Sequence, residues 1–365
     1  AMGCGQSSSA TVAQTPAVAA SPQTQSPQVR KAMEPFGGTG LQVSKLGFGC
    51  MGITAFYGEA MADDKAVELL KSVYDMGYRH FDTAEAYRTE TKHNEEQLGL
   101  FLKTVPRDSY TVATKFWPAM HGTNYDVPCV MEAVDASLKR LGLEYIDLYY
   151  SHRPPETLEQ AEQWMTSMKE VVASGKVKYV GLSEFNPEWT RKLHAIHPVA
   201  AMQIEWSLVT RNLVEEILLE CCKELKIGIV AYSPLARNLL AAPPTETPDD
   251  WRKDNPRYSA ENLKRNAELT QKIEELGKKR GASAAQLSLA WIYYKASSLG
   301  LQVMPIPGTT KAVNAKTNIE STNIQITSED AAALEELGAM VAGKRGTEWY
   351  EGVSLEGNMK KVEGK

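Results

Sequence analysis

Four side chains suited to acid–base work on an oxygen fall at or just beyond the ends of three successive apolar runs. The first run, Tyr78-Arg79-His80-Phe81, stops on Asp82, and the stretch Thr83-Ala84-Glu85-Ala86 leads from it to Tyr87. The second, Thr111-Val112-Ala113-Thr114, stops on Lys115, and the third, Ile146-Asp147-Leu148-Tyr149-Tyr150-Ser151, on His152. A carboxylate at the end of a buried strand is costly without a partner, and Lys115 is the candidate. A phenol is a weak acid with a reference pKa of about 10, and a neighbouring ammonium favours its ionised form. One pKa unit is about 1.36 kcal/mol, so roughly 3–4 kcal/mol of attraction would bring Tyr87 into range as a general acid. Proton transfer of this kind contributes roughly a hundred- to ten-thousand-fold in rate. With a histidine opposite to hold a carbonyl oxygen, the set suits protonation of that oxygen as a hydride reaches its carbon. Taken singly, each residue has a plainer reading: Asp82 as a turn or cap, Lys115 as a solvated cation, His152 as a core histidine. Three ionisable groups on consecutive strand ends, with a tyrosine on the first following loop, are harder to explain that way.

For the elements that must hold these residues, the spacing predicts strands over Lys45–Met51, Tyr78–Phe81, Tyr110–Thr114, Tyr145–Tyr150, Tyr179–Leu182, Ala201–Ile204, Ile229–Ala231 and Gln302–Pro305. Helical patterns lie between them, over Asp63–Met76, Glu95–Lys103, Val130–Leu141, Leu158–Ala173, Glu188–Ile196, Leu213–Leu225, Ser259–Lys279 and Ala284–Lys295. In Val130–Leu141 the apolar residues Val130, Ala133, Val134, Leu138 and Leu141 recur at helical spacing. Gly77, Gly142, Gly175 and Gly228 fall just beyond helix ends, where a left-handed residue is wanted. Strand–helix alternation of this length predicts a parallel sheet. Eight units closing on themselves make a single (β/α)8 TIM barrel, whose C-terminal strand ends carry the site.

Gly47-Phe48-Gly49-Cys50-Met51-Gly52 fits the G-x-G-x-x-G dinucleotide pattern. That pattern works only when a helix opens at the glycines and an acidic residue ends a strand about twenty residues on. Here the next helical pattern begins near Asp63, and Asp82 lies thirty residues beyond Gly52. The glycines read better as a narrow first barrel strand that lets a ligand approach its mouth.

The 365 residues, 43% of them hydrophobic, are enough for one large core. A net charge of −5 without a block of Lys or Arg argues against nucleic acid and anionic membrane surfaces as partners. No apolar run is long enough for a transmembrane segment. Five cysteines, with no Cys-x-x-Cys pair, argue against a disulfide framework or thiolate zinc site. His194 and His197 lack an evident third ligand, so no metal is expected. The chain divides into a low-complexity tail over 1–34, expected to be disordered, a barrel over 35–345 and a C-terminal tail over 346–365. The start, Ala1-Met2-Gly3-Cys4-Gly5-Gln6-Ser7, resembles an exported bacterial lipoprotein trimmed to its acceptor cysteine, Cys4. It reads equally as an expression remnant before a natural floppy terminus.

At this point the chain resembles the aldo-keto reductase family, from about Leu41 to about Asn318. The resemblance rests on Phe81-Asp82-Thr83-Ala84-Glu85-Ala86-Tyr87, Thr114-Lys115, Ser151-His152-Arg153, Gly181-Leu182-Ser183, Gln203-Ile204-Glu205, Tyr232-Ser233-Pro234-Leu235 and Ile306-Pro307-Gly308-Thr309. Within the family it is most similar to the bacterial and plant branch that includes perakine reductase. The resemblance implies a (β/α)8 barrel that reduces a small-molecule aldehyde or ketone with NADPH, less often NADH, without metal, and a cytoplasmic location. It implies Tyr87 as acid, Lys115 and Asp82 as its tuning pair, and His152 orienting the substrate carbonyl. An alternative within the family is a nicotinamide-binding, redox-sensing module with little turnover.

The resemblance carries over to the cofactor positions unevenly. Ser183, Glu184 and Gln203 match residues at the carboxamide, although Glu184 stands where many members have asparagine. Tyr232 matches the aromatic that stacks on the nicotinamide. Ser233, Leu235 and Arg237 match the pyrophosphate loop, with Ala236 and Asn238 in place of common glycines, which stiffens it. Gly308 and Thr309 match the phosphate turn, and Asn318 the residue that meets adenine. Asn314 replaces an arginine often used to grip a 2′-phosphate, and Lys311 is close enough to substitute; it also reads as a solvated surface lysine. Phe56, Tyr57, Trp117 and Trp206 are the candidate substrate pocket, and the proline-rich stretch 242–256 a candidate lid. The tail from Gly343, with Trp349 and Tyr350, is long enough to fold back on the pocket.

Overall fold

The computed structural model describes residues 33–362. Cys4 and nearly all of the stretch expected to be disordered lie outside the described residues. Glu34, the last residue of that stretch, already pairs in a hairpin of β1 (Glu34–Phe36) and β2 (Leu41–Val43). Eight parallel strands follow: β3 (Phe48–Gly49), β4 (His80–Asp82), β5 (Thr111–Phe116), β6 (Ile146–Ser151), β7 (Val177–Ser183), β8 (Val199–Glu205), β9 (Gly228–Tyr232) and β10 (Val303–Pro305). Each pairs with its neighbours in sequence, in the order β3 to β10. Backbone bonds from Gly47 N to Pro305 O (3.0 Å) and Gly49 N to Pro307 O (3.4 Å) join the last strand to the first. The fold is a (β/α)8 barrel.

Two cores hold it. Ala113, Leu148, Tyr150, Ala201, Val230 and Met304 fill the barrel interior, and Phe36, Leu41 and Val43 of the hairpin join the same cluster. The Phe36 ring lies against the start of β9, where a Cβ on Gly228 would meet it, so the hairpin plugs the N-terminal end. A larger cluster packs the outer strand faces against helices that carry apolar stripes, such as Val130, Val134, Leu138 and Leu141 of Val127–Leu141. With both faces covered, every residue of β5 and β6 is buried, which is why those strands do not alternate apolar and polar. Side-chain caps start many of the helices, including Asp126 on Cys129 N and a reciprocal Thr157–Gln160 box.

The glycine decoy resolves in the closure of the barrel. A short helix, Met51–Thr54, does open after Gly49, contrary to the expectation that none begins before Asp63. Yet a Cβ on Gly49 would sit 2.7 Å from Ile306 O, and one on Gly308 2.5 Å from Gly49 O. The glycines let the first and last strands approach. Gly77, Gly142 and Gly175 adopt the left-handed conformation expected of them, but Gly228 does not; Lys226 takes that role with φ 53°. Helices Ala312–Glu320, Ser328–Gly338, Glu348–Gly352 and Leu355–Val362, absent from the sequence-based reading, complete the chain.

Candidate active site

Register explains how distant residues meet. Asp82 on β4 lies beside Ala113 on β5; Lys115 is two residues further along that strand and so faces the same way. Lys115 in turn lies beside Tyr150 on β6, and His152 is two residues beyond. The three groups thus rise in steps around the C-terminal rim.

Lys115, fully buried, donates to Asp82 Oδ1 (2.5 Å) and to Thr83 O (2.6 Å), and its Nζ stands 3.4 Å from Tyr87 Oη. Gln203 Nε2 donates to the other Asp82 oxygen at 2.7 Å. Burial alone would lower the ammonium's pKa, but Asp82 and Tyr87 raise it above the ordinary value, so Lys115 stays charged. The tyrosine departs from expectation. Burial raises the Tyr87 pKa, and Lys115 offsets this only in part. The physical reason is that the phenol is deeply buried, and the Asp82 carboxylate beside the ammonium adds a charge that also disfavours the phenolate. Tyr87 is therefore held as a phenol, the form that can give up a proton.

His152 is neutral. Burial, then the charges of Lys115 and Arg153, push its pKa well below the usual range. Its ring lies edge-on to Tyr87 with centroids 5.5 Å apart, and Trp117 meets its other side at 4.6 Å. His152 Nδ1 is buried without a partner among the described residues. Tyr150 Oη and Arg153 Nε beside it are likewise buried without partners among the described residues, and such a cluster of unsatisfied polar atoms at the rim fits a site that takes a ligand. Phe56 packs on Tyr87 at 6.4 Å, and Tyr57 on Trp251 of the candidate lid at 6.0 Å. Trp206 does not line this space: it is fully buried in the outer core against Trp291. A surface hollow lined by Asn186, Arg191 and Met359 is elsewhere and brings no such groups together.

Among the residues assigned to a nicotinamide cofactor, fit is partial. Ser183 ends β7 beside Gln203 on β8, and the Gln203 side-chain amide donates to Asp82. Glu184 is spoken for. Arg345 grips both its oxygens (3.1 and 2.8 Å), Tyr232 Oη donates to one (2.6 Å) and Leu355 N to the other (2.8 Å). Although burial works to raise it, Arg345 brings the Glu184 pKa down to about 2. Arg237 is likewise buried, bound to Glu205 (3.0 Å) and Arg345 O (2.8 Å) instead of standing open to a pyrophosphate. Ser233, Ala236, Arg237 and Asn238 all take positive φ, where glycine would be unstrained. Thr309 Oγ1 accepts from Lys311 N (3.1 Å) and from Asn314 Nδ2 (3.3 Å) at the start of Ala312–Glu320. Asn318 is buried, and Lys311 and Gly308 are exposed. A helix N-terminus, an exposed ammonium and a turn open to backbone approach fit a phosphate group.

The sequence-based reading missed Arg345 and Glu205. Two carboxylates ending adjacent strands, Glu184 and Glu205, were the available signal, since buried anions require cations. The tail does fold back: Tyr350 Oη hydrogen-bonds Tyr232 Oη, and Arg345 supplies the cation.

The Aldo/keto reductase family profile matches residues 45–339. A curated relative, "Probable aldo-keto reductase 1" of Glycine max, is 40% identical over 328 residues, covering 87% of this chain and 91% of its own. A solved thermostable aldo-keto reductase in complex with epalrestat is 29% identical, with TM-score 0.68 over 84% of this chain and 99% of its own. A glycerol dehydrogenase of Gluconobacter oxydans, 24% identical, shares the fold with TM-score 0.72 over 84% of this chain and 95% of its own. The fold and rim define a barrel oxidoreductase. The chain belongs to the aldo-keto reductase family, whose members act on carbonyl groups with NAD(P)H.

Proposed function

We propose that this protein reduces an aldehyde or ketone to an alcohol with NADPH, Tyr87 acting as the general acid. The observation that carries the reading is Tyr87 Oη 3.4 Å from a charged, buried Lys115 and edge-on to a neutral His152 with an unpartnered nitrogen. When bound, the reduced cofactor would supply the hydride. The chain's own residues do the rest. His152 donates a hydrogen bond that orients the substrate oxygen and, being neutral, does not transfer a full proton to it. Tyr87 delivers the proton to that oxygen as negative charge builds there. Lys115 stabilises the charge left on the phenol oxygen, and Asp82, itself held by Gln203, keeps Lys115 in place. Trp117, Phe56 and the lid residue Trp251 line or cover the approach and exclude water.

Ser183 and Gln203 would meet the carboxamide and Tyr232 the ring. Thr309, Gly308 and Lys311 would hold the adenosine-side phosphate, and Asn318 the adenine. Lys311, exposed and in no ion pair among the described residues, favours a 2′-phosphate and therefore NADPH over NADH. Glu184 and Arg237 hold the tail in place instead of the cofactor. The four-residue set, complete with its tuning pair, favours turnover over a purely sensing role. Purified protein, reduced cofactor and a panel of aldehydes should show loss of reduced-nicotinamide absorbance, cut roughly a hundred- to ten-thousand-fold in Tyr87→Phe. Equal rates in the two proteins across the panel would overturn the reading.

A further inference from the structure

At the mouth of the barrel, charge does not balance. Four guanidiniums, those of Arg153, Arg237, Arg257 and Arg345, gather near three carboxylates, Glu184, Glu205 and Glu356. Arg237 and Arg257 pair with Glu205, and Arg345 with all three acids. Arg153 is the one left without a direct ion pair among the described residues, although it and Glu184 act on each other at longer range. Among the described residues its guanidinium forms no ion pair or hydrogen bond, and its Nε is buried without a partner. Its one organised contact is the Tyr350 ring, 5.4 Å from the guanidinium carbon to the centroid. The residue is half-buried, and of its guanidinium nitrogens only Nε is shut away without a partner, so the group is positioned to receive an anion from the mouth. The Tyr350 ring attracts this guanidinium as it does those of Arg237 (5.1 Å) and Arg345 (5.2 Å), and the planar fork of an arginine suits two-pronged recognition of a carboxylate.

Its position says which anion. Arg153 follows His152 directly, and its charge acts on both His152 and Tyr87. Those are the groups that would hold the reacting oxygen. We propose that Arg153 is a specificity-determining residue that binds a carboxylate carried by the carbonyl substrate, so that the preferred substrates are aldehyde or keto acids. The inference rests on the carbonyl-reductase reading above and narrows its substrate class. Tyr350, brought in by the C-terminal segment, acts as the platform that presents the guanidinium.

The test compares 4-carboxybenzaldehyde with benzaldehyde, and succinic semialdehyde with butanal, in wild type, Arg153→Met and Arg153→Lys. The expected result is a kcat/KM preference for each acid in wild type. Arg153→Met should lower the acid-to-neutral ratio by roughly 10- to 100-fold, carried mainly by KM, and Arg153→Lys by less. Neutral-aldehyde turnover reports whether each variant is folded and whether the carbonyl-reductase reading holds. Calorimetric titration with 4-(hydroxymethyl)benzoate and with benzyl alcohol reads the same preference without turnover, so a protein reducing neither aldehyde still gives an answer. Absence of acid preference in both readouts in wild type would overturn the assignment. An Arg153→Met ratio equal to wild type would overturn it too. So would a loss confined to cofactor affinity, measured with NADPH and NADH, because the anion would then belong to the cofactor.

Discussion

Replacing Lys115 by methionine removes the one ammonium beside Tyr87 while keeping a side chain of similar length. At 3.4 Å from the phenol oxygen, and at an effective dielectric of about 20, one unit charge stabilises a full phenolate by about 5 kcal/mol. A transition state carrying half to all of that charge loses about 2–5 kcal/mol, which is roughly a 30- to 5,000-fold fall in kcat. Stability is affected separately. Asp82, only 2% exposed, keeps Gln203 but loses its cation, and stranding one member of such a pair costs about 3–5 kcal/mol. The double variant Lys115→Met/Asp82→Asn removes the stranded charge and should recover most of that stability without recovering rate. Single-turnover reduction of an aldehyde at saturating cofactor reads the first effect, and urea midpoints read the second. A single variant that keeps kcat within about threefold of wild type would refute the role given to the ammonium. A double variant that recovers rate with stability would show that Lys115 matters only as a support.

Gly49→Ala should destabilise the barrel by about 1–3 kcal/mol, because the new methyl meets Ile306 O at 2.7 Å; Gly52→Ala, whose nearest neighbour is the Tyr57 ring at 3.5 Å, should be close to neutral in the same urea titration. Acid stability should follow Glu184. An unfolded glutamate takes up its proton as pH falls through 4.5, whereas the folded one waits until about 2, so the native state is stabilised by about 3 kcal/mol above pH 5 and loses this between 4.5 and 2. In Arg345→Met, denaturation midpoints should be lower at pH 7 and should fall less steeply across that window. Lys311→Ala should weaken NADPH by roughly fivefold or more and leave NADH unchanged in a fluorescence titration, as expected for loss of one exposed contact to a 2′-phosphate.

Much of the rim was legible because it is written on strand ends. Asp82, Lys115 and His152 each terminate an apolar run, and in a parallel barrel such ends share one face; the register of β4, β5 and β6 then brings them together. Eight strands were readable for a related reason: burial on both faces leaves continuous apolar runs between helices with regular stripes. The tyrosine's acidity was not readable. Its direction depends on whether burial or the ammonium dominates, and how deeply the phenol is buried is set only by the closed fold. Trp206 was misplaced because an aromatic after a strand can face either the mouth or the outer core.

From its residues alone, the chain determines an alternating fold, the four groups of the rim and the chemistry their types permit, since period and side-chain identity are local properties. Tertiary structure decided the rest. It assigned Glu184 and Arg237 to the tail, turned the glycine pattern into a barrel seam and left Arg153 without an ion pair among the described residues. A partner brought from 161 residues away, as Arg345 is to Glu184, leaves no periodic trace in sequence, because the pairing exists only once the chain has closed on itself.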